Sequence, residues 1–384
     1  MITKRGDKYQ VRVEVGRDAN GKRLQAFKTC KTLKEARVAE GKLRGTIHAG
    51  EYVQPTKITV SEWLDIYMAD YAPHKLGEKQ LERAKGIVER HLKPTLGDQL
   101  LAKLTAVGIQ QAVSDWKDRV SAATIRQHVN LLRSACHQAV VAGVLTRNPC
   151  TGVVMPRLER KEVRALTEEE QRAILEALRP LPAYLPTLVA LASGLRRGEV
   201  LGLRWKDVDL KACSLTVVQS VIEVAGKPVI KDTPKTSHSR RSVLVHPSVI
   251  EELKAHQEAQ KEHAKKIGKY WPDNDLVFRS AGGGPMRPGY VGLAWRRVVK
   301  ELGIDARFHD LRHTHAAMLI KSGAPLKLIQ DRLGHSSATM TLQIYSHMMP
   351  GMEASIVASV PLPGTKRVAE WSQEASEEPE TKAQ

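Results

Sequence analysis

His309-Asp310-Leu311-Arg312-His313, then Leu333-Gly334-His335, then Tyr345: this run decides how the chain is read. It places an arginine, several histidines and a tyrosine within 40 residues of one another. The first five residues have the outline His-acid-x-x-His, which also suits a zinc-binding helix. Zinc is rejected on three grounds: Asp310 is one carbon shorter than the usual glutamate base, Arg312 on the same face would repel the metal, and no third ligand stands nearby. In the alternative, His309 and Arg312 stand at i and i+3, share a helix face and project into a phosphate site. His313 and His315 are then packing or capping residues.

The segments that follow are sharply punctuated. Ser322-Gly323 closes one helix, and Pro325 fits the first turn of another, carrying Leu326, Leu328, Ile329 and Leu333. Gly334 closes that one. Ser336 or Ser337 caps a next helix bearing Met340, Leu342, Ile344 and Tyr345. Read alone, Tyr345 is a core tyrosine, and Leu326 to Tyr345 is a helix-turn-helix.

Two upstream segments change that reading. Arg196 lies in Ser193-Gly194-Leu195-Arg196-Arg197-Gly198-Glu199, and Glu199 is one helical turn on, close enough to hold its guanidinium. Lys235 lies in a hairpin loop, Asp232-Thr233-Pro234-Lys235-Thr236-Ser237, able to deliver an amine into a cleft. Two guanidiniums, Arg196 and Arg312, grip a phosphodiester best, because each bonds two oxygens in its plane. A tyrosine of unperturbed pKa about 10 needs a base to attack phosphorus. His309 or His335 can serve as that base. The departing 5′ oxygen needs an acid, a role open to Lys235 or a protonated histidine. The chemistry needs no metal and no cofactor.

Composition points to a polyanionic partner. The 384 residues carry 60 Lys+Arg against 42 Asp+Glu, a formal charge of +18. Aromatic residues are only 4%, which argues against base stacking as the main mode of nucleic-acid binding. No apolar run approaches 18 residues, and the first residues form no secretion signal. Cys30, Cys136, Cys150 and Cys213 are scattered, as expected of reduced thiols in a cytoplasmic protein.

Hydrophobic periodicity divides the chain into several domains. Residues 1–55 read as a small α+β module, a three-stranded sheet plus a helix. Tyr9, Val11, Val13 and Val15 alternate with polar residues. A turn at Asp18-Ala19-Asn20-Gly21 leads to a strand over 22–27, and the box Thr32-Leu33-Lys34-Glu35 opens a helix ended by Gly50. Residues 1–57 hold 14 Lys/Arg against 6 Asp/Glu, so a basic strand face with Arg12, Arg23 and Lys28 can lie on DNA. Residues 56–155 read as an all-α bundle of four helices, the second stopping at Pro94. Arg126, Arg133 and Lys117 lie outside its apolar stripes and either meet phosphate or keep the surface wet. Residues 156–165 are a linker, and 166–360 a mainly α domain with a small β-sheet, opened by the box Thr167-Glu168-Glu169-Glu170. In that sheet Ser214 to Val224 reads as one strand and Ser242 to Val245 as another. Residues 361–384 hold 5 Glu against 3 Lys/Arg and read as a disordered tail.

At these residues the chain resembles the tyrosine recombinases, the phage-integrase family. Gly194-Leu195-Arg196-x-Gly198-Glu199 matches that family's first arginine motif, and Pro234-Lys235-Thr236, followed by Ser239-Arg240-Arg241, its β-hairpin lysine. His309-x-x-Arg312-His313 matches its HxxR box, Leu333-Gly334-His335 its LGH box, and Tyr345-Ser346-His347 its nucleophile segment. The resemblance implies a catalytic set of Arg196, Lys235, His309, Arg312, His335 and Tyr345, with Tyr345 the nucleophile and Glu199 in support. It further implies an arm-type DNA-binding module (1–55), a SAM-like core-site-binding domain (56–155) and a catalytic domain (166–360). The implied reaction passes through a 3′-phosphotyrosine and a Holliday junction within a homo-tetramer on double-stranded DNA, integrating or excising a mobile element. A directionality factor, a DNA-bending protein and a nucleoid-associated location in the bacterial cytoplasm also follow from it. Two competitors predict different outcomes: a helix-turn-helix protein forms no covalent adduct, and a type IB topoisomerase-like enzyme relaxes any supercoiled plasmid.

Overall fold

The structure is a computed structural model describing residues 1–17, 21, 23–49, 52, 57–158, 164–232 and 240–334. The chain forms two compact units, Met1–Arg160 and Lys161–Gln384. Among the described residues no helix is long and apolar enough to cross a membrane.

The first unit begins with an antiparallel sheet in the order β1 (Ile2–Arg5), β2 (Lys8–Arg17), β3 (Arg23–Cys30). Strand alternation turns Val11, Val13, Ala26 and Cys30 inward, where Val11, Val13 and Cys30 pack with Ala36 and Ala39 of helix α1 (Leu33–His48). On the other parity Arg12 pairs with Phe27, its guanidinium 5.3 Å from the ring centre. Thr32 caps α1 by accepting from the Glu35 N–H, but the Glu35 carboxylate reaches past Thr32 to the Lys31 N–H. The expected turn over 18–21 and the helix stop at Gly50 lie largely outside the described residues.

Four helical stretches follow, packed on a core that includes Trp63, Leu64, Tyr67, Leu92, Ile109, Trp116, Ile125 and Leu132. The first comprises α2 (Val60–Ile66), opened by the full Thr59–Glu62 capping box, a π-helical turn over Tyr67–Tyr71, and α3 (Ala72–Lys75). The second runs through α4 (Glu78–Ile87), a π-helical turn over Val88–Leu92, and α5 (Lys93–Leu96). Pro94 therefore does not stop it. A proline clashes with the carbonyl four residues back and leaves it without a donor. The wider turn ends just before each proline, with Ala72 N–H bonding the Tyr67 carbonyl and Lys93 N–H the Val88 carbonyl. Pro73 and Pro94 then sit in a first turn, where the missing N–H costs little. Helices α6 (Ala106–Lys117) and α7 (Ala122–Val141) complete the bundle, capped by Thr105 and Ser121. Arg126 donates to the Pro156 carbonyl and Arg133 to the Cys150 carbonyl, so both brace the chain leaving the bundle.

The second unit opens with α8 (Glu168–Leu178) behind the full Thr167–Glu170 box, then α9 (Tyr184–Ser193) and the short α10 (Arg197–Leu201). One continuous strand over 214–224 is corrected. The chain breaks there, and two sheets form: β4 (Val208–Asp209), β5 (Ser214–Val217) and β8 (Arg241–Leu244) in one, β6 (Gln219–Val224) and β7 (Lys227–Asp232) in the other. Gly198 and Gly202 explain the break. A Cβ on either would meet the backbone of β6 at 2.7 Å (Val221 carbonyl) or 2.8 Å (Gln219 carbonyl), so β6 lies against α10 rather than continuing β5. Helices α11 (Pro247–Ile267), α12 (Pro288–Glu301), α13 (Asp310–Lys321) and α14 (Leu326–Leu333) complete the described unit. Pro325 is the N-cap of α14 rather than a residue of its first turn.

Candidate active site

The site is built where α9 turns into α10. Gly194 closes α9 at φ +70°, and a Cβ there would lie 2.6 Å from Leu333 and 2.7 Å from the His315 ring. Only glycine lets α13 and the end of α14 approach this turn so closely. That approach brings three motifs, well separated in sequence, onto one set of carbonyls. Arg312, 2% exposed, donates from Nη1 to the Gly194 carbonyl at 2.8 Å and from Nη2 to the Leu333 carbonyl. Arg196 reaches the Gly334 carbonyl at 3.4 Å. The peptide groups on both sides of Gly334 thus face the two arginines, and His335 is next in sequence.

Glu199 is the buried support. Its carboxylate accepts from the Arg196 backbone N–H and from Arg196 Nη1, both at 2.9 Å, so the expected one-turn pairing is present. It also accepts from Arg241 Nη2 at 2.7 Å and Nη1 at 3.4 Å. Burial opposes its charge. The Arg241 bonds and charge, with those of Arg196, nonetheless hold its carboxyl below the ordinary range. Burial also lowers the Arg312 guanidinium to about 9; Arg196 and Arg241 add to this and Glu199 opposes it, leaving Arg312 a cation at neutral pH.

The histidines around the arginines are neutral. His309, at the N-terminus of α13, keeps an exposed edge. Packing around its ring, then His313, Arg312 and Arg196, lower its pKa to about 4, against Asp310. Its ring meets His313 edge to face at 5.1 Å. His313 is also lowered, mainly by burial, and its Nδ1 is buried without a protein partner. His315 is held at about 4 by burial, then by Arg332, whose Nε donates to its Nε2 at 2.8 Å. Asp310 is occupied with Arg307, accepting from its backbone N–H at 2.7 Å and from Nη2 at 2.9 Å. Among the described residues no group of three or more His, Cys, Asp or Glu could hold a metal. The guanidiniums of Arg196 and Arg241 share one carboxylate, Glu199, and that of Arg312 rests on two backbone carbonyls. With the histidines neutral, the arrangement suits an anion that brings its own charge.

Of the residues expected from sequence, Arg196, Glu199, His309 and Arg312 are brought together. Lys235, His335 and Tyr345 lie outside the described residues. The hairpin expected around Lys235 is corrected: β7 pairs with β6 and β8 with β5, so the strands flanking that segment belong to different sheets. Arg241 was missed as a member of the site. Its signal was strand parity, since Arg241 shares the inward face of Val243 and Val245.

The model of the phage integrase family matches residues 157–351, just over half of the chain and every residue of the site described above. The chain belongs to the phage integrase family. A second model, the N-terminal SAM-like domain of phage integrases, matches residues 59–117. The chain is 28% identical to a XerC-like tyrosine recombinase of Caldanaerobacter subterraneus, covering 92% of this chain and 95% of that one. It is 27% identical to the ICEBs1 integrase of Bacillus subtilis, over 90% and 94%. Among solved structures, the Tn1549 transposon integrase with circular-intermediate DNA superposes with a TM-score of 0.65 at 19% identity, covering 78% of this chain and 99% of that one. A lambda integrase tetramer bound to a Holliday junction gives 0.55 at 20% identity, over 89% and 94%. This integrase is therefore an enzyme, a tyrosine-type site-specific DNA recombinase.

Proposed function

We propose that this integrase cuts and rejoins DNA through a 3′-phosphotyrosine intermediate and a Holliday junction, integrating or excising a mobile element. The observation that carries this reading is the convergence of the Gly194, Leu333 and Gly334 carbonyls on Arg312 and Arg196, with Glu199 beneath them. Such a cluster fixes two guanidiniums, with Arg196 44% exposed and able to meet a ligand.

In the proposed step the Tyr345 oxygen attacks phosphorus, forming the phosphotyrosine bond as the bond to the 5′ oxygen breaks. The tyrosine proton passes to His309 or His335, and the leaving oxygen takes a proton from Lys235 or a protonated histidine. A neutral His309 suits the accepting role, since an imidazolium could take no proton. Arg196 and Arg312 answer the charge that gathers on the non-bridging oxygens. The partner strand's 5′-hydroxyl then reverses the step, so the bond energy is conserved without a nucleotide cofactor.

Around this chemistry we assign residues 1–55 to arm-type DNA, 56–155 to core-site DNA, 156–165 to a linker, 166–360 to catalysis and 361–384 to a tail. The basic composition and the Arg12–Phe27 sheet face support the DNA assignments. The lambda integrase tetramer on a Holliday junction supports a homo-tetramer on DNA. A directionality factor and a bending protein would act on the arm sites.

The test uses a core duplex recovered by binding selection from a random library and nicked so that cleavage is trapped. On a denaturing gel the native chain forms a protein–DNA adduct that Tyr345→Phe abolishes. An intact, DNA-bound protein that forms no adduct would overturn the reading.

A further inference from the structure

A third arginine of the cluster has no part in the chemistry above, yet it is bonded more completely than the two that do. Arg241 begins β8, with its backbone paired to Val217 of β5. Its side chain is 7% exposed, and Glu199 is 9% exposed. Nε donates to the Arg332 carbonyl at 2.8 Å, while Nη2 and Nη1 donate to the two oxygens of Glu199 at 2.7 and 3.4 Å. One planar group thus spans a strand, the N-terminal turn of α10 and the last turn of α14.

The bonding pattern sets a hierarchy. The Glu199 carboxylate has about four acceptor positions, and Arg241 and Arg196 fill four, two each. Arg196 has five N–H donors on its guanidinium, and two are engaged, one by Glu199 and one by Gly334. The remainder have no partner among the described residues and can meet an anion, but their direction depends on where Glu199 sits. The Arg332 carbonyl held by Arg241 immediately precedes the Leu333 and Gly334 carbonyls that hold Arg312 and Arg196. Stability alone does not call for such a group, because replacing a buried ion pair with apolar residues is often neutral or stabilising.

We propose that Arg241 is a positioning residue for DNA cleavage, aiming the Arg196 guanidinium through Glu199 and setting the last turn of α14 against both arginines. The proposal rests on the reading of Arg196 and Arg312 as a phosphate clamp. Arg241 touches neither DNA nor the reacting atoms. Its contribution appears only where the clamp has charge to answer.

The test compares the nicked core duplex in two forms, with an ordinary phosphate or with a methylphosphonate at the scissile position. The methylphosphonate replaces one charged non-bridging oxygen with a methyl group, so little anionic charge is left for a guanidinium to stabilise. Single-turnover cleavage is measured for the native chain, Arg196→Ala, Arg241→Gln and Arg241→Lys, each compared with the native chain on the same substrate. Arg196→Ala is expected to lose about 100- to 1,000-fold on phosphate and under tenfold on methylphosphonate. Arg241→Gln is expected to lose about 10- to 100-fold on phosphate, the scale of a small misplacement, and within about threefold on methylphosphonate. In the Arg196→Ala background, Arg241→Gln should add a smaller loss than in the native chain, since only the route through α14 to Arg312 remains. Arg241→Lys keeps the buried charge but not the fork, and should show the same substrate dependence if Arg241→Gln does not fold. Equal losses on both substrates by a folded, DNA-binding Arg241 variant would reduce Arg241 to a structural residue and overturn the proposal. Failure of Arg196→Ala itself to recover on methylphosphonate would instead overturn the clamp reading, and the proposal with it.

Discussion

Glu199→Gln changes one atom, and its consequence can be worked from the bonds. Each carboxylate oxygen of Glu199 faces two donors. Oε1 meets Arg196 Nη1 and Arg241 Nη1; Oε2 meets the Arg196 backbone N–H and Arg241 Nη2. Whichever way the amide of glutamine is turned, its NH2 group confronts two N–H donors. Two charge-assisted hydrogen bonds are lost, at about 1.5–3 kcal/mol each. An independent route gives the same scale, since removing one partner of a buried ion pair costs roughly 3–5 kcal/mol. We therefore expect the catalytic unit of Glu199→Gln to unfold about 3–5 kcal/mol more easily in urea, with cleavage down by at least tenfold in protein that remains folded. The pH dependence has a definite sign. The folded-state pKa of Glu199 lies below its ordinary value, so its contribution is complete above the ordinary carboxylate pKa and is lost as pH falls through the lower, folded one. Glu199→Gln should remove that acid limb. A variant within about 1 kcal/mol of the native chain, cleaving within threefold of it, would refute the assignment of Glu199 as the buried support.

Gly194→Ala puts a methyl group 2.6 Å from Leu333 at a φ of +70°; left-handed backbone costs about 1–2 kcal/mol and overpacking about 1–3 more. The melting temperature and the cleavage rate should fall together, because the carbonyl that holds Arg312 moves; an unchanged melting temperature would show that the turn has slack. His128 in the helical bundle is fully buried, with neither ring nitrogen bonded to protein, and burial, then His91 and Arg83, lower its pKa from 6.5 to about 4. The unfolded chain binds its proton first, so stability is complete above pH 6.5 and declines by about 2 kcal/mol on reaching pH 5. His128→Phe should remove that decline from the bundle's urea transition, and an identical decline in the variant would assign it to other groups.

Much of this architecture was legible because it follows local rules. The capping boxes at Thr59 and Thr167 formed as spaced, and Gly194 and Gly334 took the left-handed conformation at the ends of their helices. What escaped was set by contacts distant in sequence. Pro94 lies inside a helical run because a wider turn precedes it, and periodicity carries little trace of such a turn. The strand read over 214–224 splits because Gly198 in α10 and Gly202 at its C-cap admit β6 against the helix, a cause more than ten residues away. In the sequence Arg241 is only the end of the Ser239-Arg240-Arg241 run after the expected hairpin lysine, with no role of its own. Only its place on the inward parity of β8, beside Val243, marked it as buried.

The same contrast explains why the motifs identify the reaction but do not by themselves account for its geometry. The Arg196 and Arg312 motifs name the groups that would meet a phosphate. Neither motif names what holds those groups. Arg312 rests on the carbonyls of Gly194 and Leu333, and backbone carbonyls leave no signature in a residue pattern. Arg196 rests on Glu199, itself shared with a strand residue 42 positions on. An arginine with a single exposed partner would swing among rotamers and lose entropy on meeting DNA. An arginine fixed on a saturated, buried carboxylate has already borne that cost in folding, so more of its interaction with phosphate can appear in the transition state. On this argument the packing of α9, α13 and α14 about Gly194 belongs to the catalytic machinery as much as the guanidiniums do. Substitutions there should alter the cleavage rate before they alter the affinity for DNA.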